Sequence, residues 1–401
     1  MISVLGVSLL FLVSGKQDLF INSILLIEDT SIFLLTLSFF CIFLRVIFLF
    51  PSSMRSEKLL FRFLVYAVIS SIMVSFISKN VFSFLIMFET IVFPIYIFIL
   101  NFSKDQDKIR SVLFMVFFNL AGSLPFMFFC SEFIDIKVWS SPLSQLSVRY
   151  DCSFWMLSCF CLIFFRKIPI VFFHFWLPKA HSRASGVCSI ILAGLVLKLG
   201  TFGFLKFGFL FLKRLSGASY YFFSVGTVGG LLFTLFMFRF FDLKILVACS
   251  SVLHMSMIFP GLALNQSLSI FSTLLMMVAH GFVSFFLFYV VTLIYEGRQN
   301  RRTRINKSDE TLCKTIGILF YVTIFLNLGV PPLINFIREI GFCIFLFNYS
   351  IYSLVCFGLP LLTTIFFTIL VCRFILYGKK SCKNFRKRFL VDLCIFLYML
   401  F

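Results

Sequence analysis

An all-α polytopic membrane protein of about 13 transmembrane helices is the fold this sequence predicts, at ~20 apolar residues per span. Three observations predict it. Of 401 residues, 61% are hydrophobic and the mean hydropathy is +1.07, against about 45–50% apolar residues in soluble domains. Apolar runs long enough to cross a bilayer follow one another along the whole chain and leave no stretch for a folded soluble domain. The basic residues behind the net charge of +19 gather in the short segments between those runs, as loops on one side of a membrane do. That charge is therefore no signal for nucleic acid, and none is expected among the partners.

In order, the runs are 1–15, 31–50, 59–78, 81–101, 110–130, 153–178, 186–212, 219–238, 243–262, 267–295, 311–347, 351–376 and 388–401. The eleventh holds Pro331-Pro332 and reads as one broken helix. Loops after even-numbered runs carry Arg55, Lys104, Lys108, Lys179, Arg183, Arg239, Arg301 and Lys379, among others. Loops after odd-numbered runs carry only Lys16, Lys79, Lys137, Arg149, Lys213 and Arg214. A miscount in the middle would scramble this bias. It places the N-terminus and the even loops on the cytoplasmic or matrix side. Met1 to Gly15 has neither the basic start nor the small-residue site of a cleavable signal.

Two runs are predicted to be broken. Pro169 follows Lys167 in the sixth, and Pro331-Pro332 precede Glu339 in the eleventh. A proline removes a helical N–H and bends the helix. Inside a membrane such a break survives only where protein or water satisfies the freed backbone, and transporters place discontinuous helices at their ion sites. Each break lies within a few residues of a charge, and the two sit roughly symmetrically about the middle of the chain. We therefore expect an internal inverted repeat.

The thirteen cysteines are scattered through apolar runs. No pair has the two-residue spacing of zinc, iron–sulfur or thioredoxin-like sites, so they read as small buried hydrophobes. Gly226, Gly229 and Gly230 fit close helix packing better than a phosphate loop. The 63 phenylalanines point to a T-rich coding genome such as an organelle's.

The informative residues are the titratable ones inside the spans. A charge at the bilayer centre costs ~2.5–3.5 kcal/mol on insertion scales, so a chain that keeps several is expected to use them. Glu89 stands mid-span before Pro94, and nothing near it in sequence neutralises it. Lys167 and Lys198 stand in two further spans. The bland alternatives are a structural ion pair for Glu89 and snorkelling for the lysines. His254 and His280 lie mid-span in adjacent helices and read as a relay. His174 and His181 flank Trp176-Leu177-Pro178 and either position that loop or admit protons. No histidine pair has ligand spacing with a carboxylate, so no metal is expected. Glu339 completes a row of Glu89, Lys167, Lys198, His254, His280 and Glu339 over six spans, as a lateral proton wire needs. Arg338, about 100° from Glu339 around a helix, need not pair with it. Asp242 and Lys244 beside Arg239 read as an interfacial cluster.

At these residues the chain resembles the antiporter-like membrane subunits of respiratory NADH:ubiquinone oxidoreductase (complex I), and among them the subunit 4 family. The resemblance rests on Phe88-Glu89 with Pro94, Lys167-Ile168-Pro169, and His174-Phe175-Trp176-Leu177-Pro178-Lys179-Ala180-His181. It continues through Leu197-Lys198-Leu199-Gly200, Ser250 to Met255, Ala279-His280-Gly281, and Asn327 to Asn335 followed by Glu339. It covers about 59–377. It implies that Glu89 pairs with Lys167, that Lys198, His254 and His280 continue the proton axis, and that Glu339 leads to a neighbouring subunit or the exit. It implies no cofactor in this chain; NADH, FMN, iron–sulfur clusters and ubiquinone belong to other subunits of the complex. Expected partners are those subunits, neighbouring antiporter-like ones above all, and membrane lipids such as cardiolipin. The expected site is the mitochondrial inner membrane.

On this reading 1–58 holds divergent N-terminal spans, 59–349 the translocation core, and 350–401 the C-terminal spans with a basic loop. The chain departs from the family in four places: one N-terminal helix fewer, Arg166 before the lysine, Ser182 to Ser185 without the usual acid and proline, and Arg338 where the family has glycine. A multisubunit cation/proton antiporter and a purely structural subunit are the competing readings.

Overall fold

The chain is all helix among the described residues of a computed structural model, which are 55–78, 81–103, 107–133, 154–208, 219–264, 267–298, 314–331 and 334–376. The runs expected at 1–15, 31–50 and 388–401 lie outside them. The helices are α1 Arg55–Ile77, α2 Val81–Thr90, α3 Val92–Phe102, α4 Lys108–Phe133, α5 Phe154–Lys167, α6 Trp176–Arg183, α7 Gly186–Ile191, α8 Leu197–Gly208, α9 Ser219–Met237, α10 Leu243–Ser256, α11 Ile258–Leu264, α12 Ser267–Arg298, α13 Lys314–Leu328, α14 Ile334–Tyr349 and α15 Ile351–Leu376. A π-helical turn, Leu192–Val196, joins α7 to α8 without interrupting the rod.

Eight of these segments, some made of two consecutive helices, are long and apolar enough to cross a membrane. They fall into two kinds. The α7–α8 rod is buried along its whole length, and α10–α11 and α12 nearly so, whereas α1, α2–α3, α4, α9 and α15 are buried over little more than a third. The first kind forms a centre and the second a lipid-facing shell. Exposed Phe63, Phe117, Leu124, Tyr221, Leu362 and Phe366 project from that shell, as a hydrocarbon solvent permits. Gly226 and Gly230 let α9 lie against α11 and α15.

Both predicted breaks are present. Helix α5 stops at Lys167, turns run over 168–175, and α6 starts at Trp176. Pro169 cannot supply the N–H that would close on Phe165; Ile170 N–H reaches that carbonyl instead, at 3.4 Å. The Arg166 carbonyl is taken by the Trp176 indole N–H at 2.8 Å. Helix α13 stops at Leu328 and α14 starts at Ile334, and the Asn335 side-chain amide donates to the Leu326 carbonyl. In each break a side chain from beyond it satisfies a carbonyl that the helix released, which is what the bilayer interior demands.

The loops gather by parity. Arg183 pairs with Asp107 at 3.0 Å, joining the loops after the fourth and sixth runs. Lys179 lies over the Phe114 ring, and Lys244 donates to the Ala184 carbonyl. At the end of α8, Lys206 donates to the Ser78 carbonyl, so two odd-numbered ends meet as well. The free cysteines Cys159, Cys161, Cys188 and Cys249 are buried, and Cys356 faces outward.

Candidate functional site: a buried row of charges

Three central segments carry the middle of the row. Lys198 on α8, His254 on α10 and His280 on α12 are all buried. Lys198 Nζ donates to His280 Nδ1 at 2.9 Å and to the Ala193 carbonyl at 2.6 Å. Ala193 lies in the π turn just before the lysine. A π turn widens the helix, and such turns recur at functional sites. Here it offers a carbonyl on the lysine's own rod. The His280 and His254 rings follow, with centroids 5.5 Å apart. His254 is held on both sides: its Nε2–H donates to Asn327 Oδ1 at 3.1 Å, and its Nδ1 accepts from Arg338 Nη2 at 3.3 Å. The same Nη2 reaches Glu339 Oε1 at 3.0 Å. Lys198, His280, His254, Arg338 and Glu339 thus follow one another in a series, joined by hydrogen bonds except between the two imidazoles, whose rings face each other.

Glu339 is seated by the second break. Gly329 has φ +67°, and a Cβ built there would stand 2.9 Å from Glu339 Oε1. Only a residue without a side chain combines that backbone with room for the carboxylate.

The other end is arranged differently. Lys167, the last residue of α5, is buried. Its amine donates to the Phe88 carbonyl at 3.0 Å and lies 3.9 Å from the centre of the Phe88 ring, a cation–π contact. Glu89 is the next residue and couples electrostatically to Lys167, yet the two do not close to an ion pair, and Glu89 Oε1 has no hydrogen-bond partner. Backbone packing carries this end to the centre. A Cβ on Gly200 of α8 would stand 3.0 Å from Lys167 Cβ and 3.1 Å from the Ile168 nitrogen. Without a side chain at 200, α5 ends against the rod that holds Lys198.

Of the six expected residues, Lys198, His280, His254 and Glu339 are brought together with Arg338, while Glu89 and Lys167 form a second group packed on α8 at Gly200; two expectations need correcting. Arg338, expected to turn away, pairs with Glu339 and contacts His254; its long stem brings the head back although the Cβ points elsewhere. Lys244, expected at an interface, is buried, with the imidazole of His181 near enough to feel its charge. His181 stacks on Phe288 at 4.7 Å, and His174 meets Phe175 and Phe233 edge or face. Both help to hold the break. Arg166 is half-buried, and its Nη1 donates to the Phe118 carbonyl of α4 at 2.9 Å. Sequence reasoning missed Asn327 as the partner of His254. Its signal was an amide one turn before Pro331-Pro332, in an otherwise apolar run.

Residues 78–368 match the family described as NADH:quinone oxidoreductase/Mrp antiporter, transmembrane. The chain belongs to that family. Similar relatives are NADH-ubiquinone oxidoreductase chain 4 of Petromyzon marinus, 30% identical over 74% of this chain, and of Mytilus edulis, 31% identical over 75%. That of Caenorhabditis elegans is 34% identical over 63%. The matches take in 66%, 69% and 59% of those relatives' own lengths, so the chain spans about two thirds of the proteins it resembles. Among solved structures, respiratory complex I from Thermus thermophilus with bound NADH contains a chain alike at TM-score 0.76, with 18% identity, over 84% of this chain and 73% of that one. The archaeal membrane-bound sulfane sulfur reductase gives 0.80 at 13% identity, over 92% and 77%. The Mrp complex of Dietzia gives 0.73 at 16%, over 80% and 62%. These likenesses show the antiporter-like membrane fold.

Proposed function

We propose that this chain is a proton-translocating membrane-arm subunit of NADH:ubiquinone oxidoreductase, and that its buried row carries the protons. The observation that supports this most is the contact of Lys198 with His280 and the approach of His280 to His254 across three central segments. A lysine ammonium has protons to give, an imidazole accepts on one nitrogen and donates from the other, and the three stand in sequence.

In the proposed cycle, oxidation of NADH and reduction of ubiquinone occur on other subunits, with their FMN and iron–sulfur clusters. The coupling alters the separation of Glu89 and Lys167. Because the lysine is held by the Phe88 carbonyl and ring and not by Glu89, its amine can exchange those contacts for the carboxylate. A change there shifts the charge felt at Lys198, which passes a proton to His280 Nδ1. Glu89, Lys167, Lys198, His254, His280 and Glu339 are the residues proposed to act. Residues 59–349 would form the translocating core, flanked by 1–58 and 350–401. Partners would be neighbouring antiporter-like subunits and membrane lipids, cardiolipin among them, in the mitochondrial inner membrane.

A cation/proton antiporter subunit is the second reading, favoured by the likeness to the Dietzia Mrp complex. A native gel of mild-detergent membranes, stained for NADH dehydrogenase and followed by mass spectrometry, separates the two. The first reading requires this chain in a very large NADH-active band. A small band without NADH activity would refute it and favour the second.

A further inference from the structure

Just before its last member the row holds a group that cannot carry a proton. Arg338 is among the largest fully buried side chains. A guanidinium stays protonated and has no lone pair to accept with, so it relays nothing itself. Its Nη2 donates at once to His254 Nδ1, at 3.3 Å, and to Glu339 Oε1, at 3.0 Å. His254 Nε2 is engaged by Asn327. The Nδ1 lone pair is therefore the place where His254 can take up a proton, and Arg338 covers it.

Among the described residues nothing else hydrogen-bonds the guanidinium head. Arg338 Nε and Nη1 are buried without hydrogen-bond partners, as is the nearby Asn335 Oδ1. The head is held only through Nη2, between an imidazole and a carboxylate. Charge decides such a contest: a bond to an ionised acceptor is roughly twice as strong as one to a neutral acceptor. Nη2 has a hydrogen for each acceptor, and while Glu339 is ionised its pull holds the head toward the carboxylate and leaves the bond to His254 the longer of the two, 3.3 against 3.0 Å. If Glu339 takes a proton, that pull weakens and the guanidinium settles on His254 Nδ1.

From this we infer that Arg338 is a positioning residue that gates His254, exposing its Nδ1 to a proton from His280 only while Glu339 is ionised. The gate rests on the proton-carrying reading given above and deepens it. The groups facing the gate are Lys198, Asn327 and His280 on the His254 side and Cys343 on the Glu339 side. None but Glu339 offers the guanidinium an ionised oxygen among the described residues. The consequence is directional: a proton arriving at Glu339 from the far end closes the row against a second proton coming through His254.

The test uses the assembled complex in sealed membrane vesicles and reads protons translocated per NADH oxidised, with assembly followed on native gels. Glu339→Gln mimics the protonated acid, keeps an oxygen for Arg338 and should settle the guanidinium on His254, so this subunit's share of pumping is lost. Adding Arg338→Gly to that variant uncovers His254 and should raise the ratio above that of Glu339→Gln alone, short of the wild-type value because Glu339 no longer carries protons. A partner that served packing alone would alter the amount of assembled complex, not the ratio per NADH. A normal ratio in Glu339→Gln, or a double variant no better than the single, would overturn the gate. Lys198→Met run alongside tells which claim has failed. If it lowers the ratio while the other two variants behave like the wild type, only the gate is wrong. If it too leaves the ratio intact, the proton-carrying row is wrong.

Discussion

The two ends of the buried row use the same parts and assemble them differently. Each has a carboxylate, a cation and a broken helix. At the Arg338–Glu339 end the charges meet at 3.0 Å, and the break itself, through Gly329, shapes the seat of the carboxylate. At the Glu89–Lys167 end the charges stay apart, the amine rests on the Phe88 carbonyl and ring, and a carboxylate oxygen is left without a partner. A closed pair holds its partners in one geometry. An open pair keeps a second geometry within reach at little cost. The difference assigns the ends: Glu89–Lys167 is where a coupling signal can act, and Arg338–Glu339 is where the row is locked.

The sharpest way to break this comparison is to remove one partner from each end and compare stabilities. Arg338→Met leaves the Glu339 carboxylate without its cation and His254 Nδ1 without its donor. Breaking a buried pair this way costs about 3–5 kcal/mol, so the assembled complex should melt markedly earlier. Gly329→Ala should come next. It forces a side chain to positive φ and against the Glu339 carboxylate, a strain of about 1–3 kcal/mol, visible as less assembled complex on a native gel. Glu89→Gln should be milder, under about 1 kcal/mol, because it breaks no ion pair and the amide keeps an oxygen for Ser123. Its effect should appear in pumping per NADH while the melting temperature barely moves. Equal destabilisation by Glu89→Gln and Arg338→Met would erase the distinction between the ends. The smallest effect is expected at Gly358, whose added Cβ meets nothing within 4 Å. Gly358→Ala should leave assembly and pumping as they are, or raise stability slightly through helix propensity.

Much of this was legible in the sequence because the bilayer narrows the choices. Runs of ~20 apolar residues can only be helices, and a charge inside one is conspicuous for its cost. That is why Glu89, Lys198 and His280 could be named before any contact was known, and why Pro169 and Pro331 marked the breaks. What was illegible depends on where long side chains end. Helical spacing fixes the direction of a Cβ, and on that ground Arg338 points away from Glu339; the guanidinium, several bonds further out, does not follow. Lys244 misled for a related reason. Its neighbours Arg239 and Asp242 are loop-like, and only the fold shows its amine turning inward to Ala184. The π turn at Leu192–Val196 left no signature at all, since Leu, Ala, Gly and Val suit an ordinary helix as well. The open geometry of Glu89 and Lys167 is likewise tertiary: it depends on how far α5 slides along Gly200 before it breaks.

The central claim is that the row carries protons and that Lys198 stands at its middle. The most direct measurement is the number of protons moved per NADH oxidised by sealed vesicles bearing the Lys198→Met complex, beside the unaltered one. A complex that still forms an NADH-active band but moves fewer protons per NADH is what this account predicts. An unchanged ratio in a fully assembled complex would contradict it.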